Sequence, residues 1–274
     1  MTSIVRMQRV NRGSPFRAVR LHGADPAQLD PFIGIDHAWM SAPTFPPHPH
    51  AGFSAVTYLF LDSETGMANR DSLGTRNLIE PGGLHWTAAG RGVVHEEVPA
   101  VTGSTTHLLQ IFVNLPRDRQ TAAPFALSLA SQDVPVVQRP GARVRLPLGS
   151  FGGVHSPLAP PTEVSLLDVT LEAGAELEIP VPAGQRAFFM PINGSAEVDG
   201  QGFGLEELGA VFLPIPDTAS THKLVASAGV AKVAVFIGQP LRQPIFSNGP
   251  MAFARQPDLI AATAAFQRGD LGRL

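Results

Sequence analysis

The feature that most restricts this chain is its punctuation: short segments rich in β-branched and aromatic residues are separated repeatedly by Gly, Pro, Asn and Asp. Residues 52–61, 108–115, 164–171, 187–192, 209–213 and 230–237 all have this character, which is that of β-strands joined by turns. With 27 Gly and 26 Pro in 274 residues, long helices have little room, so the expected class is all-β, a sandwich or barrel rather than a βαβ fold. One helix is expected near the end. Pro257 and Asp258 precede LIAATAAFQRG, with Pro257 as a starter and Gly269 as a stop, and this helix should close the fold without doing chemistry.

The length suits two domains. The segment SQDVPVVQRPG, residues 131–141, is the natural joint, giving domains at 1–130 and 131–274, the second including the closing helix near 257–268. A loose echo between Leu78-Ile79-Glu80-Pro81-Gly82 and Leu171-Glu172-Ala173-Gly174 hints at two similar halves. Closely spaced histidines occur in the first half alone, so a duplicated fold would carry one metal-bearing barrel and one without a metal site.

Charge and cysteine content remove several functions. The net charge is −3 with no block of like sign, which disfavours nucleic acid and anionic membrane as direct partners. Zero cysteines exclude disulfides, thiolate metal sites and cysteine nucleophiles. MTSIVRMQRVNRG lacks the apolar core of a secretory signal, and residues 224–237 carry Lys232 and are too short to span a bilayer, so a soluble, cytoplasmic protein is expected.

Two polar clusters interrupt the apolar pattern, His48-Pro49-His50 and His95-Glu96-Glu97. Residues i and i+2 of a strand share a face, so His48 projects with His50 and His95 with Glu97. Two such strands side by side would bring three imidazoles and one carboxylate around a point. That donor set suits iron(II), copper, nickel, manganese or zinc, and affinity alone does not choose among them. Four protein ligands on an octahedral ion leave two positions open, as catalysis requires and a structural zinc site does not. With iron(II) and one carboxylate the site keeps a formal charge of +1, favouring an anionic or readily deprotonated oxygen ligand.

The runs FPPHPHAGFSAVTYLF, RDSLG, IEPGGLHWTAAGRGVVHEEVP and LLQIFVNLP resemble the pirin family of the cupin superfamily in order and spacing. Later, VSLLDVTLEAGAELEIPVPAGQRAFFMPINGSAEVDG and FIGQPLRQPIFSNGP resemble the family's second half. The resemblance implies a bicupin, two stacked cupin β-barrels, with iron in the N-terminal one held by His48, His50, His95 and Glu97. It also implies quercetin 2,3-dioxygenase chemistry on an aromatic flavonol. Alternatively it implies a metal- or redox-dependent regulator of a protein partner, a transcription factor or a metabolic enzyme. A cupin isomerase or hydrolase using the metal as Lewis acid is a third reading.

The chain departs from the family pattern at two places. Gly52-Phe53-Ser54-Ala55-Val56 stands where members carry Gly-Phe-Glu-Thr-Val, so Ser54 is expected to remove an acid from beside the metal. Glu97 then remains as the catalytic base, since alternation turns Glu96 to the other face. His85 replaces a Gln before Trp86 and is read first as an ordinary polar strand residue, with the metal or a substrate as the sharper alternative. His22, His37, His107, His155 and His222 are read as structural, and Arg91 between Gly90 and Gly92 as structural or rim-forming rather than catalytic. Phe45, Phe53 and Trp86 are candidates for the pocket mouth as much as for core.

Overall fold

The computed structural model describes residues 2–22 and 26–274. The chain forms two compact units: one comprises Arg9–Gln132, Pro160–Thr162 and Leu241–Leu274, the other the chain up to Gln8 with Asp133–Ala159 and Glu163–Pro240. Both are built to one plan, a seven-stranded sheet and a four-stranded sheet of antiparallel strands.

In the first unit the seven-stranded sheet runs Phe125–Leu129, Leu84–Ala88, Phe53–Leu59, Thr106–Asn114, Phe32–Met40, Phe16–Leu21 and Gln8–Asn11. Its interior strand Phe53–Leu59 is buried at every residue, so both faces are covered and its apolar run does not alternate with polar residues. The four-stranded sheet runs His48–His50, Val93–Pro99, Met67–Asp71 and Arg76–Ile79. Together these strands bring the two polar clusters of the sequence side by side.

The second unit repeats the arrangement with Ser3–Arg6, Gly209–Phe212, Arg186–Asn193, Ala231–Gly238, Val164–Leu171, Ala142–Leu148 and Val136–Arg139 in one sheet. Glu176–Val181, Ser220–Val225, Ser195–Val198 and Gln201–Gly204 form the other. Val144, Leu146, Val169, Phe189, Val235 and Leu224 belong to one continuous apolar cluster that draws on both sheets.

The contiguous division at 130/131 needs correction at three places. Ser3–Arg6 pairs along Gly209–Phe212, which assigns the N-terminal strand to the second unit. The C-terminal hairpin and helix belong to the first unit, because Met251, Phe253, Leu259, Ala262 and Leu271 bury their apolar surface with Ala51 and Val94. The joint is also shorter than 131–141. Val136–Arg139 already pairs with Ala142–Leu148, so the second half of that segment is a hairpin.

The helix occupies Gln256–Arg268, with proline in its first turn and Gly269 at φ 81° beyond its end. The amide of Asp270 donates to the carbonyl of Ala265 and that of Gly269 to the carbonyl of Phe266, a closure that needs the left-handed residue glycine supplies. No helix among the described residues is long and apolar enough to cross a membrane.

Candidate metal centre

Strand pairing assembles the site. His95 lies directly opposite His48, and Val93 opposite His50, so all three imidazoles project from one face of two adjacent strands. Their donor nitrogens lie within 4.8 Å of one another, and His48 Nε2 is 3.2 Å from His95 Nε2. Nitrogens bound at right angles about 2.1 Å from an ion stand about 3 Å apart, so this spacing fits two neighbouring ligands of one cation.

Tautomers point the same way. His48 Nδ1 is 3.0 Å from the carbonyl oxygen of Pro46, and His50 Nδ1 is 3.4 Å from that of Pro250. A carbonyl can only accept, so each Nδ1 carries the proton and each Nε2 presents a lone pair. Burial holds the rings neutral: desolvation, then the neighbouring His48, pushes His50 down to about 3, and His95 is driven well below the ordinary histidine value by burial and by His50, His48 and His85. His48 is lowered less, again chiefly by burial. Three neutral imidazoles converging in a desolvated place are a fit for a divalent ion.

Glu97 stands outside the nitrogen group, although it faces the same cavity two residues along from His95. Its Oε2 is 2.6 Å from Thr57 Oγ1, which is 3.1 Å from Gln110 Oε1, while Gln110 Nε2 donates to the carbonyl of Val56 at 3.2 Å. A hydroxyl has one proton to give. Thr57 therefore donates either to the Glu97 carboxylate or to the Gln110 amide oxygen, and the two acceptors compete for its one proton. Burial raises the Glu97 carboxyl, to about 7, against the opposing effect of the Thr57 bond.

These residues belong to a polar row across the large sheet. Ser128, His85, Thr57, Gln110, Asp36 and Arg20 are direct cross-strand neighbours in succession, so their side chains share one face. Arg20 grips Asp36 through Nε and Nη2 at 2.7 and 2.6 Å. That pair, with Gln110, Glu97 and the three histidines, supplies the polar lining of a cavity of about 150 Å³ whose other walls include Phe16, Met40, Phe45, Leu108 and Phe112. None of Thr57, Gln110, Arg20 or Asp36 carries a motif, and only strand register shows that they matter.

Several sequence expectations change. Thr57 and Phe112 belong to the inward set, and register pairs Ser54 with Val113 on the other face of the same strands. The Ser54 side chain is fully buried there, so an acid at this position would point away from the metal cavity. Glu96 is turned outward as expected and pairs with Arg70 at 2.6 Å. His85 takes the plain reading, hydrogen-bonded to Ser128 at 2.9 Å and Thr87 at 3.2 Å, and it does not line the cavity.

Phe45 lines the cavity, Phe53 packs edge-on against the His50 ring at 5.2 Å, and Trp86 sits opposite Val56 on the far face. His37 and His107 meet Nε2 to Nε2 at 2.7 Å, and His107 Nδ1 reaches Asp62 at 2.9 Å, away from the cavity. His222 bonds Asp199, and Arg91 is exposed in its glycine turn.

Comparison with known proteins follows the same outline. The pirin family profile matches residues 3–113, and that of the pirin C-terminal cupin domain matches residues 166–272. A pirin-like protein of Caulobacter vibrioides is 32% identical over 275 residues, covering 97% of this chain and 96% of the relative. A putative quercetin 2,3-dioxygenase of Pseudomonas aeruginosa is 30% identical over 271 residues, 94% and 93% of the two chains. Among solved structures, a quercetin 2,3-dioxygenase from Acinetobacter baumannii superposes with a TM-score of 0.86 at 23% identity, over 98% of this chain and 97% of that one. A bacterial pirin from Escherichia coli in complex with nickel(II) does so at 0.68 and 16% identity, over 88% and 100%.

Proposed function

This chain belongs to the pirin family, a bicupin, and from that premise we propose that it is a metal-dependent dioxygenase acting on flavonol-type aromatic substrates. The observation that carries the reading is the convergence of three neutral histidine nitrogens at one end of a largely apolar cavity that the Glu97 carboxyl also lines. His48, His50 and His95 would hold the ion, with Glu97 as fourth ligand; iron(II) is the ion proposed, and nickel, copper, manganese or zinc could occupy the same donors. Such an ion supplies Lewis acidity toward a chelating hydroxyl and ketone and, if redox-active, electron transfer with dioxygen.

The protein residues do the remainder. Phe16, Phe45 and Phe112 offer flat apolar walls to an aromatic ring and exclude water from the reacting end. Thr57 holds Glu97 by Oε2, so Oε1 is the oxygen that would reach the ion and, once released from it, take a hydroxyl proton from the substrate. In the metal-free protein burial raises this carboxyl to about 7, so once it leaves the ion it is suited to accept and return a proton at neutral pH. The Arg20–Asp36 pair at the wall gives the cavity one further polar contact for a substituent remote from the metal. The cavity itself is smaller than the roughly 300 Å³ usual for drug-sized ligands, so the reacting ring would enter while the remainder of the molecule projects from it.

The test is direct. Protein loaded with iron(II) and mixed with quercetin in air should bleach the flavonol absorbance and release carbon monoxide, and His95→Ala should do neither. Full metal loading with unchanged flavonol absorbance would overturn the reading.

A further inference from the structure

We infer that Asp71 is a positioning residue for His95: its free carboxylate oxygen accepts the Nδ1 proton of that imidazole, directly or across one water, and so orients Nε2 toward the ion. The inference rests on the metal centre proposed above and adds to it a residue that does not line the cavity. Three observations support it.

The first is register. Asp71 is the direct cross-strand partner of His95, on the flank opposite His48, so the two side chains share a face with Cβ atoms about 5 Å apart. The second is an unmet need. His95 is 3% exposed and Asp71 and Asn69 4% each, yet His95 Nδ1, Asp71 Oδ2 and Asn69 Oδ1 have no hydrogen-bond partner. With Nε2 given to a cation, Nδ1 must carry a proton, and one buried donor beside two buried acceptors is the set that a direct bond or one shared water completes. His48 and His50 have their Nδ1 atoms anchored on backbone carbonyls, so His95 is the ligand whose orientation is otherwise unsecured.

The third is the division of labour within Asp71. Its Oδ1 accepts from the amides of Leu73 and Thr75, both at 2.9 Å, which fixes the turn that follows the strand. Oδ2 takes no part in that turn. Asp71→Asn can therefore keep the turn through its amide oxygen while presenting an NH2 group, a donor, to the donor His95 Nδ1–H.

The experiment compares wild type, Asp71→Asn and Asp71→Ser for nickel(II) affinity, by competition with a chromophoric chelator, and for melting of the metal-free protein. Asp71→Asn should melt with the wild type and bind nickel(II) about 10–100-fold more weakly. Cobalt(II)-loaded wild type should also show an exchangeable, hyperfine-shifted His95 N–H proton that Asp71→Asn shifts or broadens. If Asp71→Asn does not fold, Asp71→Ser, whose shorter hydroxyl can still serve the turn, carries the same comparison. Wild-type nickel(II) affinity in a folded variant, with that proton unchanged, would overturn the role of Asp71. Wild type that binds no nickel(II) would overturn the metal centre itself and this inference with it.

Discussion

The two units share a strand plan and differ in what fills them. In the second, the two sheets contribute to a continuous cluster of Val, Leu, Ile, Phe and Ala. In the first, a polar row from Ser128 to Arg20 crosses the large sheet, and three histidines and Glu97 face the cavity. An apolar cluster gains stability from each methylene it buries, about 0.8 kcal/mol apiece. A polar interior gains little net stability even when its hydrogen bonds are made, and loses heavily when one is broken. The cluster of the second unit is thus arranged for stability, whereas the first unit keeps polar groups around its cavity.

The comparison can be broken most decisively at the metal. His50→Ala or His95→Ala should abolish stoichiometric metal, read by elemental analysis, while the metal-free protein still melts cooperatively, because strand packing rather than the ion holds the unit. Loss of the transition in either variant would contradict the division drawn here. In the second unit, Phe189→Ala should cost about 3–5 kcal/mol by denaturant unfolding and leave metal content untouched, since it opens a cavity in an apolar cluster.

Smaller effects sharpen the contrast. Ser54→Glu should lower stability and yield no gain in flavonol turnover, because the carboxylate would be buried on the face away from the cavity. A gain of turnover would show that the register has been misread. Thr57→Val removes the hydroxyl that favours the ionised form of Glu97, so the carboxyl of the metal-free protein should titrate above its present value near 7, visible as its infrared C=O band persisting to higher pH.

The mildest test uses acid. Burial lowers His85 from 6.5 to about 4, so between those values the unfolded chain binds a proton that the folded one refuses, and stability falls as pH drops through that window. His85→Gln should remove about 1–2 kcal/mol of that loss between pH 7 and pH 5, measured by urea unfolding. An unchanged pH slope would mean that His85 takes up its proton in the folded state at an ordinary pH.

The histidine pairs show why part of the centre was legible. His48 with His50, and His95 with Glu97, each lie two residues apart, and strand alternation is local geometry that any strand obeys. The helix was equally local, with proline at its start and glycine at its end. Thr57, Gln110, Asp36 and Arg20 were invisible for the opposite reason. Each is an ordinary polar residue in its own strand, and only the register of four strands aligns them. Ser54 was misjudged because a motif position is counted along the chain, whereas the direction of its side chain depends on which neighbours the strand faces.

By itself the sequence determined the class of fold, two β-rich halves with histidines grouped in one, because turn residues, alternation and i, i+2 spacing are properties of a few consecutive residues. Tertiary structure alone decided what surrounds those histidines. Pro250, two hundred positions along the chain from His50, supplies the carbonyl that sets its tautomer, and Gly52 must lack a side chain because a Cβ there would run into the carbonyl of Ala252. The same folding-back places the C-terminal helix behind the strands of His50 and His95. Contacts at such separations are chosen by packing and cross-strand register, which no short window of sequence encodes.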